Sequence, residues 1–136
     1  MEVIAYLNFL GQCKAAFEFY ARTFGGEIVG MVTYGDTPTG ESTPAEQKGL
    51  IANVRMKVGK SELMGSDCPP EYFKPTAGTS ISLMIEDPSE AERIFNALAE
   101  GGQVSMPFGQ TFWAHRFGMA TDRFGIPWMV NCEKAA

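Results

Sequence analysis

Apolar and polar positions along the chain form short strand-like runs separated by two segments with helical spacing. "VIAYLNF" near the start and "SISLMIE" in the middle are runs rich in strand-forming residues. Between them, "GQCKAAFEFYARTFGG" repeats its apolar residues at helical spacing and ends in glycines that suit a left-handed cap. A second helix is predicted to open at Asp87-Pro88-Ser89, with Ala91, Ile94, Phe95 and Leu98 as its apolar stripe. The remaining predicted strands are "EIVGMVTYG", "GLIANVRMKV", "SELMGSD", "GQVSMPF", "TFWAHRFGMATD" and "IPWMVNCE".

The two helical segments belong to an internal repeat. Phe19 and Phe95 are 76 positions apart, and the glycine pairs Gly25-Gly26 and Gly101-Gly102 keep the same spacing. A period this long, present twice, indicates two copies of one supersecondary unit. We therefore predict an α+β fold of two tandem βαβββ units. It would form one domain over residues 1–136, with unit one at about 1–67 and unit two at about 79–136.

The segment from Gly35 to Gly49 interrupts this pattern. It is rich in Gly, Pro, Ser and Thr and has few apolar residues that could anchor it. We predict a mobile loop, either a lid over a pocket or an irregular surface excursion. Asp67, at the end of a predicted strand, is interpreted as a carboxylate that caps a turn.

Composition narrows the classes of partner. The formal net charge is −5, which disfavours the phosphate neutralisation on which nucleic-acid binding rests. No apolar run approaches the roughly 18 residues of a membrane span. Cys13, Cys68 and Cys132 are odd in number and distant in sequence, which is typical of reduced thiols. We expect a cytoplasmic protein that binds neither nucleic acid nor membrane.

Residues 110–131 concentrate the scarcest side chains. This stretch holds the only histidine and both tryptophans of the chain. If residues 111–117 run as one strand, Trp113, His115 and Phe117 share a face, and Trp128 returns on the last strand. Two interpretations are open: a wall that contacts a ligand, or a seam that closes a core or a dimer.

The same stretch resembles a known family. "QTFWAHRFGMATDRFGIPWMVN", the opening "YLNFLGQCKAAFEFYARTFGGE" and the middle "ANVRM…LMGSD" together are similar to the PhnB-like branch of the vicinal-oxygen-chelate superfamily. That superfamily contains glyoxalases, extradiol dioxygenases and bleomycin-resistance proteins. The branch is often described as a 3-demethylubiquinone 3-methyltransferase-like domain. The resemblance covers nearly the whole chain.

The resemblance implies curved mixed sheets with helices on the convex side, a pocket on the concave side and a homodimer. Metal-dependent members take one ligand from the first and one from the last strand of each unit. The matching positions here are Ala5, Met64, Ser80 (or Ile81) and Met129, none a suitable ligand for a hard divalent ion. We therefore expect no metal and no other cofactor. Gly25-Gly26 and Gly101-Gly102 follow helices, so they do not form the glycine-rich turn of common methyltransferases.

Two functional hypotheses remain. The first is a metal-free protein that binds a small, partly apolar molecule in its concave pocket, and bleomycin-resistance proteins set the precedent. The second is a metal-dependent enzyme of the glyoxalase or dioxygenase type with a non-standard ligand set that includes Glu62 and His115. His115 is the best candidate for any catalytic residue. The predicted ligand-binding residues are Trp113, His115, Trp128, Met64 and Met129.

Overall fold

A computed structural model describes residues 1–133, so the last three residues of the predicted second unit lie outside the described residues. It contains two four-stranded mixed sheets and two α-helices. The strand orders are β1-β4-β3-β2 and β5-β8-β7-β6, so the two sheets have the same topology. The predicted α+β class with two βαβββ units is confirmed. The elements are β1 (Ala5–Phe9), α1 (Cys13–Phe24), β2 (Glu27–Thr33), β3 (Ile51–Val58), β4 (Ser61–Asp67), β5 (Ile81–Met84), α2 (Pro88–Ala99), β6 (Gln103–Gly109), β7 (Ala114–Thr121) and β8 (Pro127–Glu133).

The chain divides into two compact units, Met1–Lys74 and Pro75–Ala136. In each unit the first strand pairs in parallel with the last strand, and the other pairs are antiparallel. The helix of each unit covers one face of that unit's sheet. The grouping of both units into a single domain stays a prediction.

The core of the first unit lies between α1 and its sheet. Buried aromatic rings of α1 pack edge-on, with Phe17 6.1 Å from Phe9 and 5.7 Å from Tyr20 between ring centroids. Gly65 of β4 allows this approach, because a Cβ there would lie 2.7 Å from the Phe17 ring. The close packing of helix on sheet therefore depends on one residue without a side chain.

In the second unit the helix packs on its sheet in the same way, through different residues. The predicted stripe of α2 is its buried face, composed of Ala91, Ile94, Phe95 and Leu98. Asp87 caps the helix by accepting a hydrogen bond from the Ser89 backbone at 3.2 Å, with Pro88 in the first turn, as predicted. Gly118 of β7 faces Phe95, and a Cβ there would lie 2.7 Å from the ring.

The internal repeat holds, although its spacing is not constant. Gly25 and Gly101 both adopt positive φ, at 70° and 76°, so the glycine caps are equivalent as predicted. Within the helices the buried positions match at a spacing of 75, because α1 begins at Cys13 and α2 at Pro88. The predicted equivalence of Phe19 and Phe95 is therefore wrong by one residue. The physical reason is Glu100, an extended residue inserted between α2 and Gly101.

The segment between β2 and β3 contains short helical turns. It forms three 3₁₀ turns, Tyr34–Asp36, Gly40–Ser42 and Ala45–Gln47. Its first turn is fastened to the residues just before the next strand, since the Gly35 amide donates to the Lys48 carbonyl at 2.9 Å. The mobility of this segment stays a prediction. In the described part of the chain, both α-helices are 12 residues long and no helix is long and apolar enough to cross a membrane.

Candidate functional site

Each sheet has a face that its own helix does not cover, here called the helix-free face. Paired residues on adjacent strands point to the same side of a sheet, and successive residues of one strand point to opposite sides. Gly65 and Gly118 face the helices, so they show which residues of each sheet point away from its helix. The helix-free face of the first sheet carries Tyr6, Asn8, Arg55, Glu62, Met64 and Ser66. The helix-free face of the second sheet carries Ser82, Met84, Phe117, Met119, Met129 and Asn131.

The two faces differ in chemistry. On the first, the Arg55 guanidinium forms an ion pair with Glu62, with Nε 3.1 Å and Nη2 2.5 Å from Oε2. This hydrogen bond, and then the charge of the carboxylate, raise the pKa of Arg55. On the second, Met119 and Met129 are direct partners across β7 and β8, and Phe117 pairs with Asn131. The first face is polar and charged, whereas the second is largely apolar.

The register corrects the match to the superfamily's metal positions. Tyr6, not Ala5, is the partner of Met64, and Ser82, not Ser80 or Ile81, is the partner of Met129. The error of one residue at Ala5 and at Ile81, and of two at Ser80, arose because the sequence alone does not show which residue of the first strand pairs with the last. Met64 and Met129 do occupy equivalent positions, each next to a hydroxyl residue.

Three aromatic residues meet at the start of β7. Trp113 contacts Phe112 and Phe117 edge-on, with ring centroids 4.7 Å and 5.4 Å apart. Phe117 is buried, whereas Trp113 is 47% exposed and Phe112 89% exposed. Trp113 itself precedes β7, which begins at Ala114, so the predicted strand over 111–117 is too long at its start. The structure nevertheless brings Trp113 against Phe117, although the strand alternation does not extend to Trp113.

His115 lies where that alternation breaks. The pairing of β7 with β8 shifts between Ala114 and Arg116, which leaves His115 as the extra residue of a bulge. Its side chain is partly buried, and its backbone carbonyl accepts a hydrogen bond from Arg116 Nη1 at 2.8 Å. The sequence argument that His115 shares a face with Trp113 and Phe117 therefore does not hold at this residue.

Trp128 occupies a different environment from Trp113. It pairs with Ile81 and Ala120 on the side of the sheet covered by α2, and it is 1% exposed. Its indole nitrogen donates to the Asp122 carboxylate at 2.8 Å. Met129, the next residue, points to the opposite face. Trp128 is thus a core residue, and it is not included in the candidate site.

Asn131 is a polar residue on the apolar helix-free face that sequence reasoning missed. Its side-chain nitrogen donates weakly to the Met84 sulfur at 3.5 Å. Its side-chain oxygen is buried and has no hydrogen-bond partner among the described residues. A signal was present, because Asn131 interrupts the otherwise apolar run of the last strand at a position in phase with Met129.

Asp67 is buried and joins two elements of the first unit. Its Oδ1 accepts from the Cys13 amide at 3.0 Å and its Oδ2 from the Ile51 amide at 2.9 Å. It therefore supplies the negative charge at the first turn of α1, which has no acidic residue of its own. The prediction that Asp67 caps a turn is therefore wrong, because its carboxylate accepts from the first residue of a helix and the first residue of a strand, both distant in sequence.

Burial raises the pKa of two groups beside Asp67, the Cys13 thiol and the Tyr34 hydroxyl. Burial, and then the Asp67 charge, raise the pKa of Cys13 to about 12. The Tyr34 hydroxyl donates to the Asp67 carbonyl at 2.7 Å, and burial is the main cause that raises the pKa of Tyr34. Both groups are held in their neutral forms. This arrangement stabilises the fold and gives neither group the character of a nucleophile.

The side chains of residues 1–133 do not form a familiar metal centre. Within residues 1–133, no group of three or more His, Cys, Asp or Glu residues is placed to hold an ion. Glu62, which the enzyme hypothesis requires as a ligand, is engaged by Arg55. Gly25, next to the end of α1, caps that helix in the left-handed conformation, and Gly101 follows α2, so neither begins a helix that could bind a cofactor phosphate.

Comparisons with known proteins agree with this architecture. Residues 1–131 match the 3-demethylubiquinone-9 3-methyltransferase family. Protein YjdN of Escherichia coli (strain K12) is 34% identical, over 98% of this chain and 97% of its own. The crystal structure of protein PA1353 from Pseudomonas aeruginosa is 48% identical, covers 99% of both chains and superposes with a TM-score of 0.91.

More distant structures extend the likeness. The PhnB protein from Bacillus cereus is 25% identical, covers 97% of this chain and 99% of its own, and has a TM-score of 0.82. A glyoxylase/bleomycin resistance protein/dioxygenase domain from Frankia sp. EAN1pec shares the fold alone, at 11% identity and a TM-score of 0.64. The chain therefore belongs to the 3-demethylubiquinone-9 3-methyltransferase family.

Proposed function

We propose that this protein binds a small, partly aromatic molecule on the helix-free face of its second sheet. The observation that carries the proposal is the chemistry of that face: Phe117, Met119 and Met129 lie side by side, and α2 covers the other side. Methionine side chains adapt to ligands of different shape. The half-exposed Trp113 against Phe117 adds a rigid aromatic surface at the edge.

The bound molecule is expected to touch Trp113, Met129 and the neighbouring methionines of β7 and β5. Met64 occupies the equivalent position in the first unit, beside Arg55 rather than a second methionine. Within the first unit taken alone, we therefore propose Met64 as a residue that contacts a more polar ligand. His115, in the bulge after Trp113, is the residue of this region that can both donate and accept a proton. We propose that it orients a ligand.

Tryptophan fluorescence tests this proposal directly. Of the two tryptophans, Trp128 is buried and bonded to Asp122, whereas Trp113 is half-exposed. A library of aromatic fragments is titrated into the protein at neutral pH. Binding on the proposed face should change the emission of Trp113 in a saturable way. The Trp113→Phe variant should lose that optical signal while calorimetry still detects the ligand.

A matched pair of charge substitutions locates the binding face. Met129→Asp places a carboxylate on the helix-free face and should abolish binding of the fragments, because the face is apolar. Asn96→Asp places the same charge on the exposed side of α2, away from the helix-free face. It should leave binding intact. Equal loss in both variants, or no fragment that binds the wild type, would refute the proposal.

The proposed activity needs no metal. The register places Tyr6 and Ser82 beside Met64 and Met129, and neutral hydroxyl and thioether groups are weak ligands for hard divalent ions. Elemental analysis of dialysed protein should therefore find substoichiometric zinc, nickel, manganese and iron. Near-stoichiometric metal that is lost in Glu62→Gln or His115→Ala would instead support the glyoxalase or dioxygenase type of enzyme.

We do not propose methyl transfer, although the family description names a methyltransferase. The support is the position of Gly25 and Gly101, which end helices rather than begin them. Calorimetric titration with S-adenosylmethionine should show no binding at millimolar concentration. Saturable binding of S-adenosylmethionine would instead support a methyltransferase activity.

The protein is also proposed to be a homodimer. Apolar side chains are exposed on the edge strands of both sheets, at Val29 and Val32 of β2 and at Val104 and Met106 of β6. Exposed apolar surface of this kind is typical of interaction sites. Sedimentation at micromolar concentration should give twice the 14.9 kDa chain mass, and a species at the chain mass would exclude the dimer.

A further inference from the structure

The buried oxygen of Asn131 is an unpaired acceptor in an apolar setting. Asn131 lies in β8 between Met84 of β5 and Phe117 of β7, and both are its direct partners in the sheet. Its Oδ1 is buried without a hydrogen-bond partner among the described residues. A buried polar atom of this kind is costly to a fold unless something binds it. Its position therefore has to be explained by function or by stability.

The orientation of the amide follows from the chemistry of its neighbour. A thioether sulfur accepts hydrogen bonds and cannot donate them, so the contact of 3.5 Å with Met84 selects the amide nitrogen. The Ser82 hydroxyl also lies near this sulfur, at 3.7 Å. The opposite orientation would place two acceptors together. The oxygen is therefore the atom that remains for another partner.

The surroundings restrict what that partner can be. Phe117 and Met84 flank Asn131, and Met129 lies two residues away on the same face. None of these three carries a charge, and Glu133, the next residue of β8 on this face, is exposed at the end of the strand. An ammonium or guanidinium bound beside Asn131 would therefore lose hydration without a buried opposite charge to replace it. A neutral O–H or N–H group would satisfy the oxygen at much lower cost.

We infer that Asn131 is a specificity-determining residue that selects neutral apolar ligands carrying an O–H or N–H donor. The inference rests on the proposed function and makes it narrower: the ligand is an aromatic alcohol, phenol or amide N–H compound rather than an ether, ester or hydrocarbon. Asn131 Oδ1 accepts one hydrogen bond from it, and the flanking thioethers and the Phe117 ring contact its apolar part.

Two probes of similar shape test this selection, 2-naphthol and 2-methoxynaphthalene, which differ in a donor hydroxyl. Their dissociation constants are measured at pH 7 by chemical-shift titration of labelled protein. The wild type should bind 2-naphthol about tenfold more tightly, the range expected for one hydrogen bond to an otherwise unpaired acceptor. The side-chain carbonyl resonance of Asn131 should move with 2-naphthol and stay in place with the ether.

Two substitutions separate selection from folding. Asn131→Leu has a similar volume and no acceptor, so it should bind both probes with nearly equal affinity and melt at the same temperature or higher. Asn131→Gln keeps an uncharged amide oxygen as acceptor and should keep the preference for 2-naphthol. Asn96→Leu, an exposed position on α2, is the control and should leave the ratio unchanged.

The outcomes distinguish this inference from the proposed function. If the wild type binds both probes equally, ligand binding stands and the role of Asn131 is overturned. That role is also overturned if Asn131→Leu keeps the full preference, or if the Asn131 resonance responds identically to both probes. If neither probe binds and no aromatic fragment does, the proposed function itself fails.

Discussion

The Trp128 indole donates a hydrogen bond to the buried carboxylate of Asp122, with 2.8 Å between Nε1 and Oδ2. The other oxygen of the same carboxylate accepts from the backbone amides of Phe124 and Ile126, at 2.9 and 3.0 Å. One side chain therefore closes the turn between β7 and β8 and fixes the tryptophan that follows it. The scarce aromatic residues of this hairpin thus have two different roles, one in the core and one at the surface.

The first prediction concerns this pair. Trp128→Phe removes the N–H group that donates to the buried Asp122 carboxylate, at a cost of about 1–3 kcal/mol, with some further loss of packing. We expect the free energy of unfolding to fall by about 2–4 kcal/mol in urea denaturation. Trp113→Phe is the matched control, because Trp113 is half-exposed, and its loss should stay below about 1 kcal/mol. Equal losses in the two variants would contradict the assignment of separate roles.

The fold could be predicted from the sequence because its signals are local. The stripe on α2, the cap at Asp87 and the glycine after each helix are all encoded within a few residues of where they act. The spacing of 76 residues between the glycine pairs also placed the repeat correctly. The same spacing is wrong by one residue inside the helices, because Glu100 is an extra residue between α2 and Gly101. Aligning the two sequences on their glycines does not reveal this insertion.

The site was harder to predict because it depends on register. A bulge at His115 breaks the alternation that would place its side chain, and no local signal marks it. Adjacent residues of a strand point to opposite faces, so Trp128 and Met129 could not both line one surface. Long-range contacts are not reflected in the periodicity of the sequence; Asp67 and Cys13, for example, are 54 residues apart.

The second prediction concerns that long-range contact. Asp67→Asn replaces one acceptor oxygen by an N–H₂ group, which would face the amide of Cys13 or Ile51 as donor against donor. We expect a loss of about 2–4 kcal/mol in the free energy of unfolding, since a buried amide is left unpaired and the helix loses its compensating charge. Asp36→Asn, near the surface, is the control. A loss below about 1 kcal/mol at Asp67 would show that water replaces the carboxylate.

The third prediction is a pH dependence that arises from Cys13. Burial raises the pKa of this thiol from 9.0 to about 12 in the folded state. Its contribution to stability is therefore fully present below about pH 9 and is lost as the pH rises toward 12, because only the unfolded chain ionises in that window. Between pH 8 and pH 10 the loss should be about 1 kcal/mol.

Comparison with Cys13→Ala isolates this contribution. Tyrosines and lysines also titrate above pH 9, but they are common to both proteins. The wild type should lose about 1 kcal/mol more than the variant between pH 8 and pH 10, whatever the absolute stability of each. In the native wild type at pH 8, a thiol reagent should modify the partly exposed Cys68 before Cys13 or Cys132, which are buried. Parallel pH profiles would contradict the shifted pKa.

The last prediction concerns the segment between β2 and β3. Its backbone bonds are confined to short turns, so amides at 36–47 should exchange with solvent much faster than those of β3. Tyr34 fastens one end, since its hydroxyl donates to the Asp67 carbonyl at 2.7 Å. Tyr34→Phe should accelerate exchange at Gly35 and Leu50 and cost about 1 kcal/mol. Tyr72→Phe, at a side chain 73% exposed, should change neither. If exchange at 36–47 in the wild type is as slow as in β3, the turns form a rigid wall and cannot act as a lid over a bound ligand.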